Sequence, residues 1–402
     1  MIRRVYLDNN ATTPLLPEVA EAMHPYFGAR FGNASSIHSH GQQTRAAVER
    51  ARESVARLIG ARPSEIVFTS GGTEADNLAV FGVVSGQRSA LSHQQSHIVT
   101  STIEHHAVLN ACRHLETLGC EVSYVPVDAQ GLVDPSDVRR ALRPSTKLIS
   151  IMMANNETGV VQPVAEIGAI AREADVYFHT DGVQAAGKIP VRVGDIGCDL
   201  LTISAHKLHG PQGVGALYVR KGTDLSAMLY GGRHERSRRA GTENVPGIVG
   251  FGAAAESALA GFERREGLKV AELRDRLERE LMGIEACCVN GDGPRVPNTT
   301  NICFEGIDGE ALVIALDLKG LAVSTGAACS SGAIEASHVL LAMGLTAEQA
   351  RGSVRFSLGK MNSAKDVEFA LSVVPETVKR LRELSPVWKE LRASSHELRS
   401  TT

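Results

Sequence analysis

The sequence predicts an α/β fold, with a large domain built on a mostly parallel sheet and a smaller α+β domain after it. From about residue 45 to 220, short apolar runs alternate with amphipathic helical patterns, as in layered α/β proteins. Several of these runs are apolar throughout, which is typical of strands covered on both faces. After about residue 260, longer charged helical patterns replace this alternation. The chain has 402 residues, too many for one ordinary core, so we expect two domains.

The first region contains an amphipathic helix and a series of strands. The helix is predicted over residues 44–59, where Val48, Ala51, Val55 and Leu58 share one face. Ligands of such sheets bind beyond the carboxyl ends of the strands, so residues that follow a strand are the candidates for a site. The predicted strands cover residues 66–69, 97–100, 121–127, 148–153, 176–179, 200–204 and 215–219.

The second region, after about residue 260, is predicted to contain charged helices, short strands and one loop. A charged helix is predicted over residues 267–283, because Leu273, Leu277 and Leu281 form an apolar stripe on it. The segment from 324 to 337 is rich in Ser, Gly and Ala and predicts a loop that can move. The remaining elements are strands at 300–304, 321–324 and 354–358, a helix at 309–318 and a charged C-terminal helix.

Composition excludes several classes of protein. The formal net charge is −3 and no basic run is present, so a nucleic-acid partner is not expected. The apolar stretch in the first residues is too short for a signal peptide, and no window approaches the ~20 apolar residues of a membrane span. The seven cysteines are odd in number and form no Cys-x-x-Cys, which favours a reducing, cytoplasmic location over a disulfide framework. The Cys287-Cys288 pair is interpreted as packing.

Lys207 is the strongest candidate for a catalytic residue. It follows the apolar run 200–203 and is flanked by hydroxyl and imidazole groups, where it could form a Schiff base with a carbonyl cofactor. Asp181 lies 26 residues upstream at the end of another predicted strand. That arrangement suits pyridoxal 5′-phosphate, because a carboxylate that keeps the pyridine nitrogen protonated lets the ring act as an electron sink. A surface lysine and a helix-capping aspartate are the alternative.

A phosphate site is predicted at the start of a helix after residue 71. Gly72 and Thr73 follow a strand, and the free N–H groups of a helix N-terminus attract an anion. Ser204 and His206 could supply further donors beside Lys207. By itself this signal is weak, and a plain turn is the commoner reason for two adjacent glycines.

His105 follows the predicted strand 97–100. Its imidazole could stack on a pyridine ring or move a proton near neutral pH, although a helix cap is the simpler interpretation. The pairs His206/His209 and His38/His40 have metal-compatible spacing but no nearby acidic partner, so no metal site is predicted.

Asn156 and Arg355 are candidates for binding a substrate carboxylate. Asn156 follows a strand, and the Arg355 guanidinium can grip a carboxylate through two hydrogen bonds. A turn and a structural salt bridge are the respective alternatives. Cys329 lies among small residues, where a thiol can be exposed and nucleophilic, although most free cysteines are small buried hydrophobes.

Taken in order, these motifs resemble those of the cysteine desulfurases of the class V aminotransferase superfamily. The resemblance covers nearly the whole chain and is closest to the long-cysteine-loop group that serves iron–sulfur cluster assembly, in its nitrogen-fixation branch. One departure is Gly72, where many relatives have Ala or Cys. The motifs are residues 6–14, 31–36, 154–159, 179–181, 204–207, 239–244 and 355–358, with Cys329 in its small-residue loop.

The resemblance implies a pyridoxal-phosphate enzyme of fold type I that acts as a homodimer. It implies a large domain over residues 16–259 and a small domain formed by 1–15 and 260–402, which carries the cysteine loop. In this family pattern Lys207 forms the Schiff base, Asp181 pairs with the pyridinium nitrogen, Gln184 contacts the ring hydroxyl and His105 stacks on the ring. Asn156 and Arg355 bind the substrate carboxylate. The residues that bind the phosphate are Gly72, Thr73, Ser204, His206 and, from the other subunit, Thr242.

The implied reaction converts L-cysteine to L-alanine and leaves a persulfide on Cys329. The sulfur then passes to an iron–sulfur scaffold protein or another acceptor, and Cys329 could transiently ligate a cluster during transfer. A selenocysteine lyase or an aminotransferase of the same fold is the alternative, and a loop thiol argues against transamination. A purely binding role in cluster assembly does not explain the retained lysine, aspartate, cysteine and arginine.

Overall fold

The computed structural model describes residues 3–86, 96–325 and 336–400. Within them lie one large sheet and two small ones. The strands are β1 (Val5–Tyr6), β2 (Ile66–Thr69), β3 (His97–Ser101), β4 (Glu121–Val125), β5 (Thr146–Ser150), β6 (Tyr177–Asp181), β7 (Leu200–Ser204), β8 (Gly215–Val219), β9 (Cys287–Val289), β10 (Thr299–Phe304), β11 (Leu321–Ala322) and β12 (Ser353–Ser357).

Helices cover both faces of the large sheet and one face of the small one. The longest pack in pairs, with α2 lying along α8 and α9 along α13. The helices are α1 (Pro17–Met23), α2 (Ser39–Ile59), α3 (Gly72–Gly86), α4 (His106–Thr117), α5 (Pro135–Ala141), α6 (Val164–Glu173), α7 (Val193–Ile196), α8 (Val245–Glu263), α9 (Glu266–Leu281), α10 (Gly309–Leu318), α11 (His338–Ala342), α12 (Ala347–Arg351), α13 (Ala364–Leu384) and α14 (Pro386–Ser400).

The large sheet has seven strands in the order β2-β8-β7-β6-β5-β3-β4. All neighbours are parallel except β8, which is antiparallel to both β2 and β7. Strands β2, β3, β7 and β8 are buried along their whole length, which accounts for the apolar runs in β2, β7 and β8. The predicted α/β class with a mostly parallel sheet is confirmed.

The predicted strand at 148–153 ends earlier, at Ser150. The backbone N–H of Met152 donates to the Glu104 carboxylate at 2.8 Å and not to a strand. Ile151 and Met153 still donate to His179 and Asp181 of β6, at 3.2 Å and 2.8 Å, so the chain parts from β3 but stays along β6 while it is buried. This early exit brings the following residues, including Asn156, to the carboxyl edge of the sheet.

Helix α8 is the most apolar long helix. Among the described residues it alone has the length and hydropathy of a possible membrane span, and half of it is buried inside the protein. Ile248, Phe251 and Ala255 belong to the main core, where α8 packs on α2. The interior position explains its apolar sequence without a membrane.

A second hydrophobic core lies under the small antiparallel sheet β12-β10-β9. It joins residues from the far ends of the chain, since Leu7 packs with Phe304, Phe356 and Val374. Strand β1 also pairs in parallel with β11. The first residues of the chain are thereby placed beside the C-terminal third, and the segment after β1 runs along the edge of the large sheet.

Candidate functional site

A cavity of about 380 Å³ opens at the carboxyl ends of the large-sheet strands. Its walls come from β6, β7, the starts of α3 and α4, the segment after β1 and strand β12 of the small sheet. Ten predicted site residues line it, with five others that were not predicted. The lining residues are Asn10, Ala11, Gly72, Thr73, Asp76, His105, Met152, Asn156, Asp181, Val183, Gln184, Ser204, His206, Lys207 and Arg355.

Lys207 lies at the end of a single 3₁₀ turn, Ala205–Lys207, directly after β7. Its amine donates to the backbone carbonyls of Asn10 at 2.5 Å and Ala11 at 2.7 Å. The segment after β1 therefore holds the end of this side chain in the cavity. A primary amine presented in this way can react with a carbonyl compound.

Asp181 is the last residue of β6 and is buried in the same cavity. One oxygen accepts a hydrogen bond from the N–H of Val183 at 2.9 Å. Burial raises the pKa of Asp181 to about 6, and the Val183 bond and the positive charge of Lys207 oppose that rise. The carboxyl group can thus ionise when a cation is placed against it.

Two further acids lie behind Asp181, and the sequence did not single them out. Burial raises the pKa of Asp76 well above its ordinary value, with a contribution from Asp181, and it raises the pKa of Glu104 to about 8. His179 lies 3.6 Å from Asp76 through its Nε2 atom, and burial lowers its pKa to about 3. This group is therefore uncharged, and the wall behind Asp181 carries no competing charge.

The predicted phosphate residues meet at one end of the cavity. Gly72 is the first residue of the fifteen-residue helix α3, and Thr73 follows it. The Oγ atom of Ser204 is buried without a hydrogen-bond partner. A side chain added at Gly72 would come within 3.0 Å of Val183 and 3.7 Å of the Ser204 side chain. The helix N-terminus, an unsatisfied hydroxyl and the absence of a Cβ form a cradle suited to an anion.

The two imidazoles of the cavity are both uncharged near neutral pH. Burial, with the charge of Lys207, lowers the pKa of His105 and of His206 to about 4. His105 caps α4, because its Nδ1 atom accepts a bond from the N–H of Ala107 at 3.1 Å. His206 Nδ1 lies 3.1 Å from the Thr12 hydroxyl. The capping interpretation of His105 is correct, and the same ring also lines the cavity.

Gln184 is oriented by a lysine that the sequence did not single out. The Lys188 amine donates to Gln184 Oε1 at 2.5 Å and to Asn10 Oδ1 at 2.8 Å. Gln184 Nε2 donates to the Asn10 carbonyl oxygen at 3.0 Å. Since Oε1 is engaged by a donor, the amide presents its N–H group to the cavity. Burial, followed by repulsion from Lys207 and Arg355, lowers the pKa of Lys188 well below its usual value.

Arg355 is buried on β12 and forms a structural salt bridge. Its Nη2 atom donates to Asp8 at 2.7 Å and its Nη1 atom donates to the carbonyl oxygen of Asn156 at 2.8 Å. Its Nε atom is buried without a partner. The structural salt bridge that was the alternative interpretation of Arg355 therefore exists. Among the described residues, the Nε–H group of the guanidinium still has no acceptor beside the cavity.

Two predicted residues remain, Thr242 and Cys329. Thr242 is exposed and does not line the cavity. Its loop is tied to the first turn of α3 by Arg239, whose Nε donates to Glu74 at 2.8 Å. Cys329 lies outside the described residues. Among the residues that are described, no group of three or more His, Cys, Asp or Glu side chains could hold a metal ion.

Comparisons with known proteins show the family to which this chain belongs. Residues 5–369 match the family model described as aminotransferase class-V. A cysteine desulfurase IscS from Dictyoglomus turgidum is 50% identical over 392 residues, covering 97% of this chain and 98% of that protein. Among solved structures, a NifS-like protein has a TM-score of 0.87 at 37% identity, with 94% of this chain and 100% of that chain covered. SspA in complex with cysteine has a TM-score of 0.78 at 35% identity, with 89% and 99% covered. By its motifs, its fold and these relatives, the chain belongs to the class V aminotransferase family, in the group of the cysteine desulfurases.

Proposed function

We propose that this chain is a pyridoxal-phosphate-dependent cysteine desulfurase that takes sulfur from L-cysteine, releases L-alanine and leaves a persulfide on Cys329. The observation that carries the proposal is the single cavity that joins Lys207, Asp181, Ser204 and Arg355. An amine, an ionisable acid, an unsatisfied hydroxyl and an unsatisfied guanidinium N–H are the groups that a phosphorylated pyridine aldehyde and an amino acid require.

The residues present fit the cofactor. The orphaned Ser204 hydroxyl and the Gly72 cradle suit its phosphate, with Thr73 and His206 beside them. Asp181 is suited to pair with the ring nitrogen of the cofactor. The uncharged imidazole of His105 is suited to stack on the face of that ring, and the Gln184 amide is suited to bind the ring hydroxyl. When bound, pyridoxal phosphate supplies an electron sink next to the substrate α-carbon.

Lys207 would hold the cofactor and then move the substrate α-proton. The carbonyls of Asn10 and Ala11 fix its Nζ atom at the cavity wall, so the amine does not swing into solvent when it is released. General-base catalysis of this kind needs the amine within hydrogen-bond reach of the proton it abstracts. Asp181 would carry the balancing negative charge.

The substrate carboxylate would bind on the small-sheet side. Arg355 offers its unsatisfied Nε–H there, and its two other contacts hold the guanidinium plane in place. Asn156 lines the same wall. The substrate side chain would then face solvent, where the Cys329 thiolate would accept the sulfur.

The protein would act as a homodimer. The large apolar side chains of Phe27, Phe31, Ile37 and Tyr230 are exposed by 66–90% in the single chain, and a partner subunit would cover them. Thr242, exposed here, would complete the phosphate site of the partner subunit. A protein that stays monomeric at full cofactor occupancy would contradict this arrangement.

The remaining assignments follow from the same proposal. The two domains would be residues 16–259 and the combination of 1–15 with 260–402, supported by the separate core under the small sheet. The six described cysteines are free, which supports a cytoplasmic location. The sulfur acceptor would be an iron–sulfur scaffold protein.

The decisive test supplies L-cysteine to the purified protein and measures alanine and sulfide in the presence of a reducing thiol. We expect both products in equal amounts, together with a yellow protein whose cofactor is fixed to Lys207 by borohydride. Lys207→Ala should remove the fixed cofactor and the activity. Formation of a keto acid in place of alanine would show transamination and overturn the proposal.

Cys329→Ser separates the cofactor chemistry from sulfur transfer. The variant should still bind L-cysteine and change its absorption spectrum, because Asn156 and Arg355 are untouched. It should release almost no sulfide, since a hydroxyl is a far weaker nucleophile than a thiolate near neutral pH. In the wild type, ³⁵S from labelled cysteine should be found on Cys329. Label on another cysteine would refute this nucleophile while leaving the cofactor site intact.

A further inference from the structure

Two cysteines that do not line the cavity meet across the small sheet. Strands β9 and β10 are antiparallel, and their register places Cys288 directly opposite Cys303. The neighbouring pairs on either side are hydrogen-bonded, Asn290 N–H to Asn301 O at 2.8 Å and Glu305 N–H to Ala286 O at 3.1 Å. Since these pairs are two residues away in both directions, Cys288 and Cys303 also form a hydrogen-bonded pair.

The register gives this pair the backbone geometry of a disulfide. The Cα atoms of a hydrogen-bonded antiparallel pair are about 5.5 Å apart. Disulfides are found with Cα separations of about 4.4–6.8 Å. Both side chains project from the same face of the sheet. The Cβ atoms of a hydrogen-bonded pair are about 5.5 Å apart, wider than the roughly 3.5–4.5 Å of most disulfides, so the bond needs a local shift of the edge strand β9 but no change of register.

The two thiols have different access to solvent. Cys288 is exposed, whereas Cys303 is fully buried, and the Cys303 thiol lies within hydrogen-bond reach of two acceptors, the Gln349 carbonyl oxygen at 3.4 Å and the Cys288 sulfur. When its single proton is donated to Cys288, that hydrogen bond lowers the pKa of Cys288 to about 7. The same contact, together with burial, raises the pKa of Cys303. An exposed thiolate beside a buried thiol is the arrangement of an attacking and a resolving cysteine.

The adjacent Cys287 does not share this site. Successive residues of a strand point to opposite faces, and Cys287 packs against the core on the other side of the sheet. It pairs in register with Phe304, not with a cysteine. Burial raises the pKa of Cys287 to about 11. It is therefore a matched control, one residue away, with the same chemistry and a different environment.

We propose that Cys288 and Cys303 form a reversible dithiol site that reacts with low-molecular-weight disulfides. The Cys288 thiolate attacks one sulfur of the disulfide, which forms a mixed disulfide and releases one thiolate that takes a proton from solvent. Cys303 then loses its proton to solvent and attacks the Cys288 sulfur, which forms the Cys288–Cys303 bond and releases the second thiolate. The two protein thiols are oxidised and one disulfide is reduced to two thiols, so the electrons balance.

This site is independent of the proposed desulfurase reaction. Cys303 pairs with Ser353, two residues along β12 from Arg355, and neither cysteine lines the cavity. The oxidised pair would tie β9, the outermost strand of this sheet, covalently to β10. The exchange would hold whether or not Cys329 is the sulfur nucleophile.

The experiment uses the full-length, cofactor-loaded protein with Cys329→Ser as the background, so that the predicted sulfur nucleophile does not react. The protein is incubated with glutathione disulfide, the remaining thiols are alkylated, and a digest without reductant is analysed by mass spectrometry. We expect one cross-linked species that contains Cys288 and Cys303, lost after treatment with a reducing thiol. Cys287→Ser should give the same cross-link.

Two further variants distinguish the roles. Cys303→Ser should stop the reaction at a stable glutathione adduct on Cys288, and Cys288→Ser should leave Cys303 unmodified. Far-ultraviolet circular dichroism and cofactor absorbance verify that each variant is folded. A cross-link between Cys287 and either cysteine, or free thiols at both positions at every disulfide concentration, would overturn the proposal.

Discussion

The cavity has two walls that treat buried charge in opposite ways. The sheet wall, made by Asp76 and Asp181 with Glu104 behind them, is acidic, and burial raises the pKa of all three carboxyl groups. The cation wall is made by Arg355, which keeps a carboxylate partner in Asp8 at 2.7 Å. One wall therefore favours uncharged groups, while the other retains an ion pair.

The difference between the walls explains which acid can serve the cofactor. Asp181 accepts a hydrogen bond from Val183 and feels the charge of Lys207, so its pKa of about 6 lies below the value of about 8 for Glu104. Asp76 has no cationic neighbour that lowers its pKa. A positive ring nitrogen placed in the cavity would thus ionise Asp181 alone, and the acids behind it would stay neutral.

Asp181→Asn tests this conclusion with the largest expected effect. Removal of one partner from a buried ion pair costs about 3–5 kcal/mol, so we expect affinity for pyridoxal phosphate to fall about 100-fold or more. Titration of cofactor-free protein, followed by absorbance, measures the change. Asp76→Asn is the matched control and should change affinity little, because Asp76 is already uncharged. Equal losses in both variants would mean that the two acids share the charge.

Arg355→Lys tests the cation wall. Lysine keeps the positive charge but loses the planar fork, and one charge-assisted hydrogen bond is worth about 1.5–3 kcal/mol. We therefore expect KM for L-cysteine to rise about 10- to 100-fold, with cofactor absorbance unchanged. Asp8→Asn, which weakens the salt bridge but leaves the guanidinium, should have a smaller effect on KM. A larger effect of Asp8→Asn would make Arg355 a structural residue only.

We expect Glu104→Gln to have the smallest effect on activity, and to change the pH dependence of the free energy of unfolding. Because the pKa of Glu104 is about 8 when folded and 4.5 as its ordinary value, the folded state binds more protons between these limits. Its contribution to the free energy of unfolding therefore falls as pH rises through this window, by up to about 1.4 kcal/mol per pH unit. Glutamine cannot titrate, so the variant should lose this part of the slope.

Denaturant unfolding of wild type and Glu104→Gln, repeated between about pH 5 and 8, measures the difference. Glutamine can keep the bonds from Ser101 and Met152, which both go to Oε1 in the wild type, so the fold should persist. Parallel pH profiles for the two proteins would show that Glu104 does not titrate in this range.

The local patterns predicted the fold because each strand and helix depends on neighbouring residues. The strands 66–69, 200–204 and 215–219 agree with β2, β7 and β8, and the helix at 309–318 agrees with α10. Lys207, Asp181 and Asn156 follow strands of one parallel sheet, so their meeting at its carboxyl edge could be anticipated. Helix α2 begins at Ser39, five residues before the predicted start, because its first turn has no apolar stripe.

Other features depended on contacts between distant parts of the chain, and no local spacing encodes such contacts. Asp8 reaches Arg355 only because β1 lies beside the C-terminal third of the chain. Gln184 and Lys188 both donate to Asn10, which comes from the segment after β1 far earlier in the chain. Cys303 meets Cys288 through the register of two strands. The sequence by itself determined the element types, the sheet class and the chemistry at the strand ends, since these follow from residue periodicity. Tertiary structure alone decided which buried charges are paired and which thiols are opposed, because both depend on the order in which separate strands pack.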